Sequence, residues 1–281
     1  MRKGQGILFN WIFISIVGIL FLVLLVSFAF QYKKIEEEKN NFKIATSIDT
    51  SLSGLNSENL YTSLSYDKKI QFDSDCDNFL VNSYKVPLND KILFAEEFKD
   101  NNVKVWVKEL KFPYSVGNLY FLAGNKKYYL VGENSLEMPE IFDVEEISLS
   151  NIGNQKGKFV FFIDPGDVKD RLNDYIIVKE DSVVFPDGSE LPYFNELVYG
   201  AIFSDKKLYE CNFERVMEKI KAVNQIYLKK ASLLSLWTGC NYDLTYFRIV
   251  NELIENKEHE SLIENQKSLE FQNEAFCREV F

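Results

Sequence analysis

From Ile7 to Phe30 the chain runs 24 residues without a charged side chain, and only Asn10, Ser15 and Ser27 bring polar groups into the run. A helix rises 1.5 Å per residue, and about 20 apolar residues cross a hydrocarbon core about 30 Å thick. The segment is therefore expected to span a lipid bilayer. Trp11 stands near its start, where an amphipathic ring suits the headgroup level. Ser27-Phe28-Ala29 offers the small-x-small pattern of a cleaved secretory signal. The apolar run, however, exceeds the roughly 7–15 residues of a signal core, so a retained anchor is the expectation. The organisation that follows is a short cytoplasmic leader at 1–6, a transmembrane helix at 7–30, an amphipathic stalk helix at 31–56 and an extracytoplasmic domain at 57–281.

Charge divides along the same line. Residues 1–34 hold Arg2, Lys3, Lys33 and Lys34 and no acid; the remaining 247 residues hold 28 basic and 42 acidic side chains, a net −14. So acidic a body is a poor polyanion binder, because nucleic-acid affinity comes mostly from Lys and Arg contacts with phosphates. No nucleic-acid partner is expected. The basic residues flank both ends of the apolar run, so charge bias alone leaves the orientation open.

Beyond Lys34 the apolar residues Ile35, Phe42, Ala45, Ile48, Leu52 and Leu55 recur at helical spacing, with Glu36, Glu37 and Glu38 off the stripe. One helix from about residue 7 to about residue 54 would be roughly 70 Å long. Lys3-Gly4-Gln5, directly before the apolar run, resembles the leader-cleavage motif of archaeal type IV pilin-like precursors. That resemblance implies a cut between Gly4 and Gln5 and a hydrophobic helix that packs into a filament core. The family carries a Glu at the fifth mature position, where this chain has Phe9, so the pairing of that acid with a neighbouring amino terminus is missing. The stretch KGQGILFNWIFISIVG is also similar to the start of uncharacterised single-pass membrane proteins of small-genome archaea, which implies no activity.

The body reads as α+β. Residues 57–205 alternate β-branched and aromatic runs with turn signals, and strands are expected at 69–72, 104–112, 119–123, 128–131, 159–163, 175–179 and 182–185. Gly124-Asn125 and Glu180-Asp181 read as hairpin turns, and Asp187-Gly188 as a further reversal. Val105, Val107 and Leu110 partly alternate with charged residues, which predicts a half-exposed strand. Helices do not alternate regularly with the strands, so the sheet is expected to be mixed or antiparallel rather than doubly wound. Over 206–281 the period becomes helical. One helix is expected from about Asn212 to Thr238-Gly239, a second through Leu244, Phe247, Val250 and Ile254, and a third through Leu262, Ile263, Leu269 and Phe276.

All four cysteines, Cys76, Cys211, Cys240 and Cys277, follow the apolar segment, and none forms a CxxC pair. Zinc is not expected, because structural sites bring close ligand pairs. Two states remain: buried thiols in a cytosolic domain, or two disulfides outside the membrane. The disulfide reading is adopted, and helix geometry sets its pairing. Cys211 and Cys240 lie at opposite ends of one helix, roughly 40 Å apart, whereas a bridge needs Cα atoms about 4.4–6.8 Å apart. The second and third helices leave and return to the same end, which pairs Cys240 with Cys277 and leaves Cys76 for Cys211.

Catalytic signatures are sparse. His259 is the only histidine and sits in a polar stretch. Ser65 with Lys68, and Ser204 with Lys207, match S-x-x-K without the companion motifs of that chemistry. Asp73, Asp75 and Asp77 resemble the first half of a calcium loop, but Asn78 and Tyr84 stand where such a loop needs Gly and Glu. Asp164 and Asp167 flank Pro165-Gly166 in a second acidic run. Both are weak calcium candidates; no cofactor is expected. The sequence reading is a membrane-anchored, non-catalytic structural or interaction protein of an envelope or surface assembly, with the bilayer and a protein partner or second copy as its contacts. The alternatives are a pilin-like filament subunit and, from another class, a membrane-tethered hydrolase using carboxylates. A non-reduced digest is expected to yield the Cys240–Cys277 and Cys76–Cys211 peptides, and a Cys211–Cys240 peptide would refute the pairing.

Overall fold

A computed structural model of the chain describes residues 5–55, 60–112, 114–133, 136–153, 155–238, 244–259 and 261–262. The first element is a single unbroken helix, α1 (Gln5–Gly54), about 75 Å long at the helical rise. Its apolar stretch is long enough to cross a bilayer, with a mean hydropathy of 2.9 over its most apolar window and none of that window buried. Side chains that are apolar all round a helix and uncovered by protein need another apolar medium. Residues 31–40 are exposed as well, and contact with the body begins at Asn41.

There Asn82 donates to the Asn41 side chain at 2.7 Å, and Phe42 meets the edge of Tyr84. Lys91 reaches Asp49 at 2.8 Å. Of the stripe read in the sequence, Ala45, Ile48 and Leu52 are fully buried, while Ile35 stays 62% and Phe42 48% exposed. The amphipathic face is thus used over its last three turns only. The expected helix is one element, and its stalk is a bare rod followed by a packed end.

The body holds two mixed six-stranded sheets. The first has the order β3-β2-β1-β5-β6-β4 and is built from β1 (Tyr61–Ser74), β2 (Asn78–Val81), β3 (Tyr84–Pro87), β4 (Ile92–Ala95), β5 (Phe98–Phe112) and β6 (Tyr114–Ala123). All its pairings are antiparallel except β4 with β6. The second has the order β12-β11-β10-β9-β7-β8, from β7 (Lys127–Val131), β8 (Asp143–Ile147), β9 (Lys158–Phe161), β10 (Tyr175–Val178), β11 (Ser182–Val184) and β12 (Glu190–Pro192). Strands β7 to β10 run parallel, and β11 and β12 add an antiparallel meander.

Two sequence expectations change here. Gly124-Asn125 is not a hairpin turn, because β6 and β7 belong to different sheets. Asn125 instead bonds back to Asp100 of β5 through its backbone N–H and side-chain amide. The physical reason lies in β7, whose Tyr128–Val131 run is buried throughout, as befits a strand covered on both faces. Nor is β5 half-exposed. Val103, Val105 and Val107 face α1 on one side, and Trp106, Leu110 and Phe112 enter the central core on the other. Lys104, Lys108 and Glu109 between them are half-buried, with the Lys108 ammonium 5.1 Å from the Tyr199 ring.

Three helices complete the body: α2 (Leu197–Phe203), α3 (Lys206–Thr238) and α4 (Thr245–Asn256). Every residue of α2 is buried. It approaches β4 so closely that a Cβ on Gly200 would stand 2.7 Å from the Phe94 ring. Helix α3 starts six residues before the expected position and brings Tyr209, Phe213, Val216, Met217 and Ile220 into the core between the sheets. Its buried Asn224 accepts from Tyr114 at 2.9 Å and donates to the Phe247 carbonyl of α4 at 2.6 Å. The third expected tail helix falls largely outside the described residues.

Ile48→Ala is expected to destabilise the body by about 2–4 kcal/mol through an unfilled cavity beneath the first sheet. Ile35→Ala is expected to change nothing; denaturant unfolding of both variants measures the difference.

Candidate functional site

The residues singled out in the sequence separate once folded. Cys76, in the β1–β2 turn, and Cys211, in the second turn of α3, are joined as a disulfide with their Cα atoms 6.1 Å apart across 135 residues of chain. Closing a loop of that length is worth about 4–5 kcal/mol in the chain-entropy account. Arg215, one turn on, donates to the Cys76 and Asn89 carbonyls and fastens the same corner. Cys240, Cys277 and Gly4 lie outside the described residues, and Gln5 begins α1.

Three of the calcium candidates, Asp73, Asp75 and Asp164, accept from nearby backbone N–H groups. Asp75 Oδ1 accepts from the Asp77 and Asn78 N–H groups, and Asp73 from that of Ser74. Asp164 caps Gly166 at 3.0 Å, and Asp167 lies in the short 3-10 turn Gly166–Arg171. Among the described residues no three His, Cys, Asp or Glu side chains converge to hold a metal ion. Neither S-x-x-K match forms a pair: Ser65 donates to Asn102, and Ser204 is buried with its hydroxyl on the Gly200 carbonyl. His259 sets its ring edge-on to Phe213 at 4.9 Å, and burial pushes its imidazole below the usual range.

What sequence reading missed is a buried ion cluster where the sheets meet. Lys158, the first residue of β9, is 2% exposed. Its ammonium pairs with Glu96, just past β4, and also meets the carbonyls of Ala201 at 3.3 Å and Ser204 at 3.1 Å. Those carbonyls close α2, where the helix leaves acceptors unsatisfied and its dipole favours a cation. Lys126, on the crossing from β6 to β7, also pairs with Glu96 and bonds Asp174 at 2.5 Å. Burial pushes the Glu96 carboxyl up, but Lys158 and Lys126 outweigh it and hold the group below the ordinary carboxylate range.

The same topology opens a crevice. The chain leaves β7 sideways to β8, then returns to its other side for β9 and β10. In open sheets the carboxyl ends of parallel strands at such a reversal diverge and leave room for a ligand. A cavity of about 630 Å³ lies there, with Glu133 beyond β7, Phe162 beyond β9, Val178 to Glu180 at the end of β10, and Tyr193, Asn195 and Val198 leading into α2. Two backbone positions shape its rim. Gly132 has φ +102°, and a Cβ there would meet Ile163 at 2.9 Å; Asn195 sits at φ 47°. A second cleft, of about 460 Å³, separates the β11–β12 meander from Lys257–His259.

No family model, curated protein or solved structure matches this chain.

Glu96→Gln leaves Lys158 buried without a counter-charge and is expected to cost about 3 kcal/mol at neutral pH. Because the folded Glu96 titrates below its unfolded value, its contribution is complete above about pH 4.3 and is lost as the pH falls further. Wild-type stability should therefore drop on acidification more steeply than that of the variant, as read by denaturant midpoints across pH.

Proposed function

We propose that this chain is a single-pass membrane protein that holds an acidic interaction head on the extracytoplasmic side, within an envelope or surface assembly. The observation that carries the reading is the continuity of α1: one helix passes from exposed apolar turns, through exposed residues 31–40, into three turns buried under the first sheet. Such a helix has lipid as the medium that suits its first half and the head as its partner for the second. The bridge between Cys76 and Cys211 supports an oxidising side for the head, since disulfides persist there and are rare in reducing cytosol. The amino terminus then remains in the cytoplasm. The role assigned to the head is structural or interactive rather than catalytic.

A second reading, a pilin-like filament subunit, draws support from the same helix. Its distal part lies on a largely antiparallel sheet while its apolar part stands free, ready to bundle with copies of itself. Phe9 in place of the family's Glu weighs against it.

Protease added to intact cells is expected to remove the head while an amino-terminal tag is retained, and alkaline carbonate is expected to leave the chain in the membrane pellet. Intact mass, oxidised and then reduced, should reveal two hydrogens per bridge. Loss of Met1–Gly4 in the same spectrum would favour the filament subunit. A protected head with free thiols would reverse the topology.

A further inference from the structure

The crevice at the carboxyl ends of β7, β9 and β10 holds more hydrogen-bond acceptors than donors. The Tyr193 hydroxyl spends its hydrogen on the Lys179 and Glu180 carbonyls, at 2.8 and 3.1 Å, which leaves oxygen lone pairs toward the cavity. Asn195 donates one amide hydrogen to the Lys111 carbonyl at 2.8 Å, which leaves its second amide hydrogen and its own carbonyl oxygen. Lys179, the one cation on the rim among the described residues, is held by both carboxylate oxygens of Glu190 at 2.8 Å. Glu133 and Glu180 are exposed carboxylates, and among the described residues neither has an ion-pair partner. The polar groups left over are therefore mostly acceptors, two of them charged. Between them stand the half-buried Phe162 and the mostly buried Val178 and Val198, which carry no donor.

We infer that this crevice receives a basic side chain, an arginine or lysine on an extended segment of a protein partner, whose charged end meets Glu133 and Glu180 while its methylene stem lies on Phe162. The stem matters because long basic side chains bury their carbons and keep the charge at the polar end, and the walls and rim supply both halves of that pattern. The net −14 of the body reinforces the choice of a cation and draws it in from a distance. Arginine is the better fit, since a planar guanidinium gives two parallel bonds to a carboxylate. This site names the partner chemistry of the interaction role proposed above and rests on that reading.

The test uses the full chain in lipid nanodiscs and isothermal titration with acetyl-Leu-Arg-Leu-amide, its Gln counterpart and free agmatine. The Arg peptide is expected to bind about tenfold more tightly than the Gln peptide, a difference of about 1.4 kcal/mol. The E133Q/E180Q variant is expected to abolish that preference. Both carboxylates are exterior, so the variant should unfold with the wild type, and its denaturant midpoint checks this. Equal binding of the two peptides, or an undiminished preference in E133Q/E180Q, overturns the proposal. Agmatine binding as tightly as the peptide also overturns it, by making a small organic cation the occupant. Carbonate extraction of the same preparation separates the two ideas: a chain retained in membranes that ignores the Arg peptide sinks the crevice alone, and a chain washed free sinks the anchor.

Discussion

A lysine ammonium that is 2% exposed dictates much of what surrounds it. Burying an ammonium is costly unless other groups replace the lost water. Four segments do so: Glu96 from the first sheet, the closing carbonyls of α2, and through Glu96 also Lys126 and Asp174. Each of these sits where the chain changes direction or passes from one sheet to the other. The pairing therefore fixes how the two sheets face each other, and the aromatic layer of Phe94, Trp106, Phe121, Tyr128 and Phe203 fills the space so defined.

The disulfide does comparable work at another corner, tying the β1–β2 turn to α3. With α1 laid over the outer face of the first sheet, the head has its core enclosed by its own elements. The crevice is an exception made by strand order: the chain adds β8 on one side of the parallel β7 and β9 on the other, and the half-buried Phe162 lines the gap this leaves.

How much of this was legible follows from the range of each signal. The apolar run and the stripe Ala45, Ile48, Leu52 are local patterns, and they became one helix as expected. The seven stretches of β-branched and aromatic residues read as strands each coincide with one, for the same reason. Helix α2 escaped notice because LVYGAIF is apolar at nearly every position, so no period distinguishes helix from strand. The sheet change after Gly124 was hidden because a glycine-asparagine turn looks the same whether the next strand pairs back or departs. The ion cluster had no local mark at all: Glu96 and Lys158 are 62 residues apart, and each looks like one charge among many. The crevice depends on strand order, which no spacing in the chain records. The acidic turns around Asp75 and Asp164 were visible as well, and their carboxylates accept from backbone N–H groups of the turns.

The unbroken passage of α1 through its bare residues 31–40 makes the head and the apolar segment a single crank. Each residue of a helix turns the axis by about 100° and advances it about 1.5 Å. Removing one residue from that bare stretch would swing the head about 100° around the rod, and the crevice would face another quarter with hardly any change in height. Adding a full heptad would lift it by about 10 Å and return it almost to its original bearing. The length of this short polar segment is thus a compass setting, and a partner that reaches the head from a fixed direction would notice a single deletion there more than many substitutions.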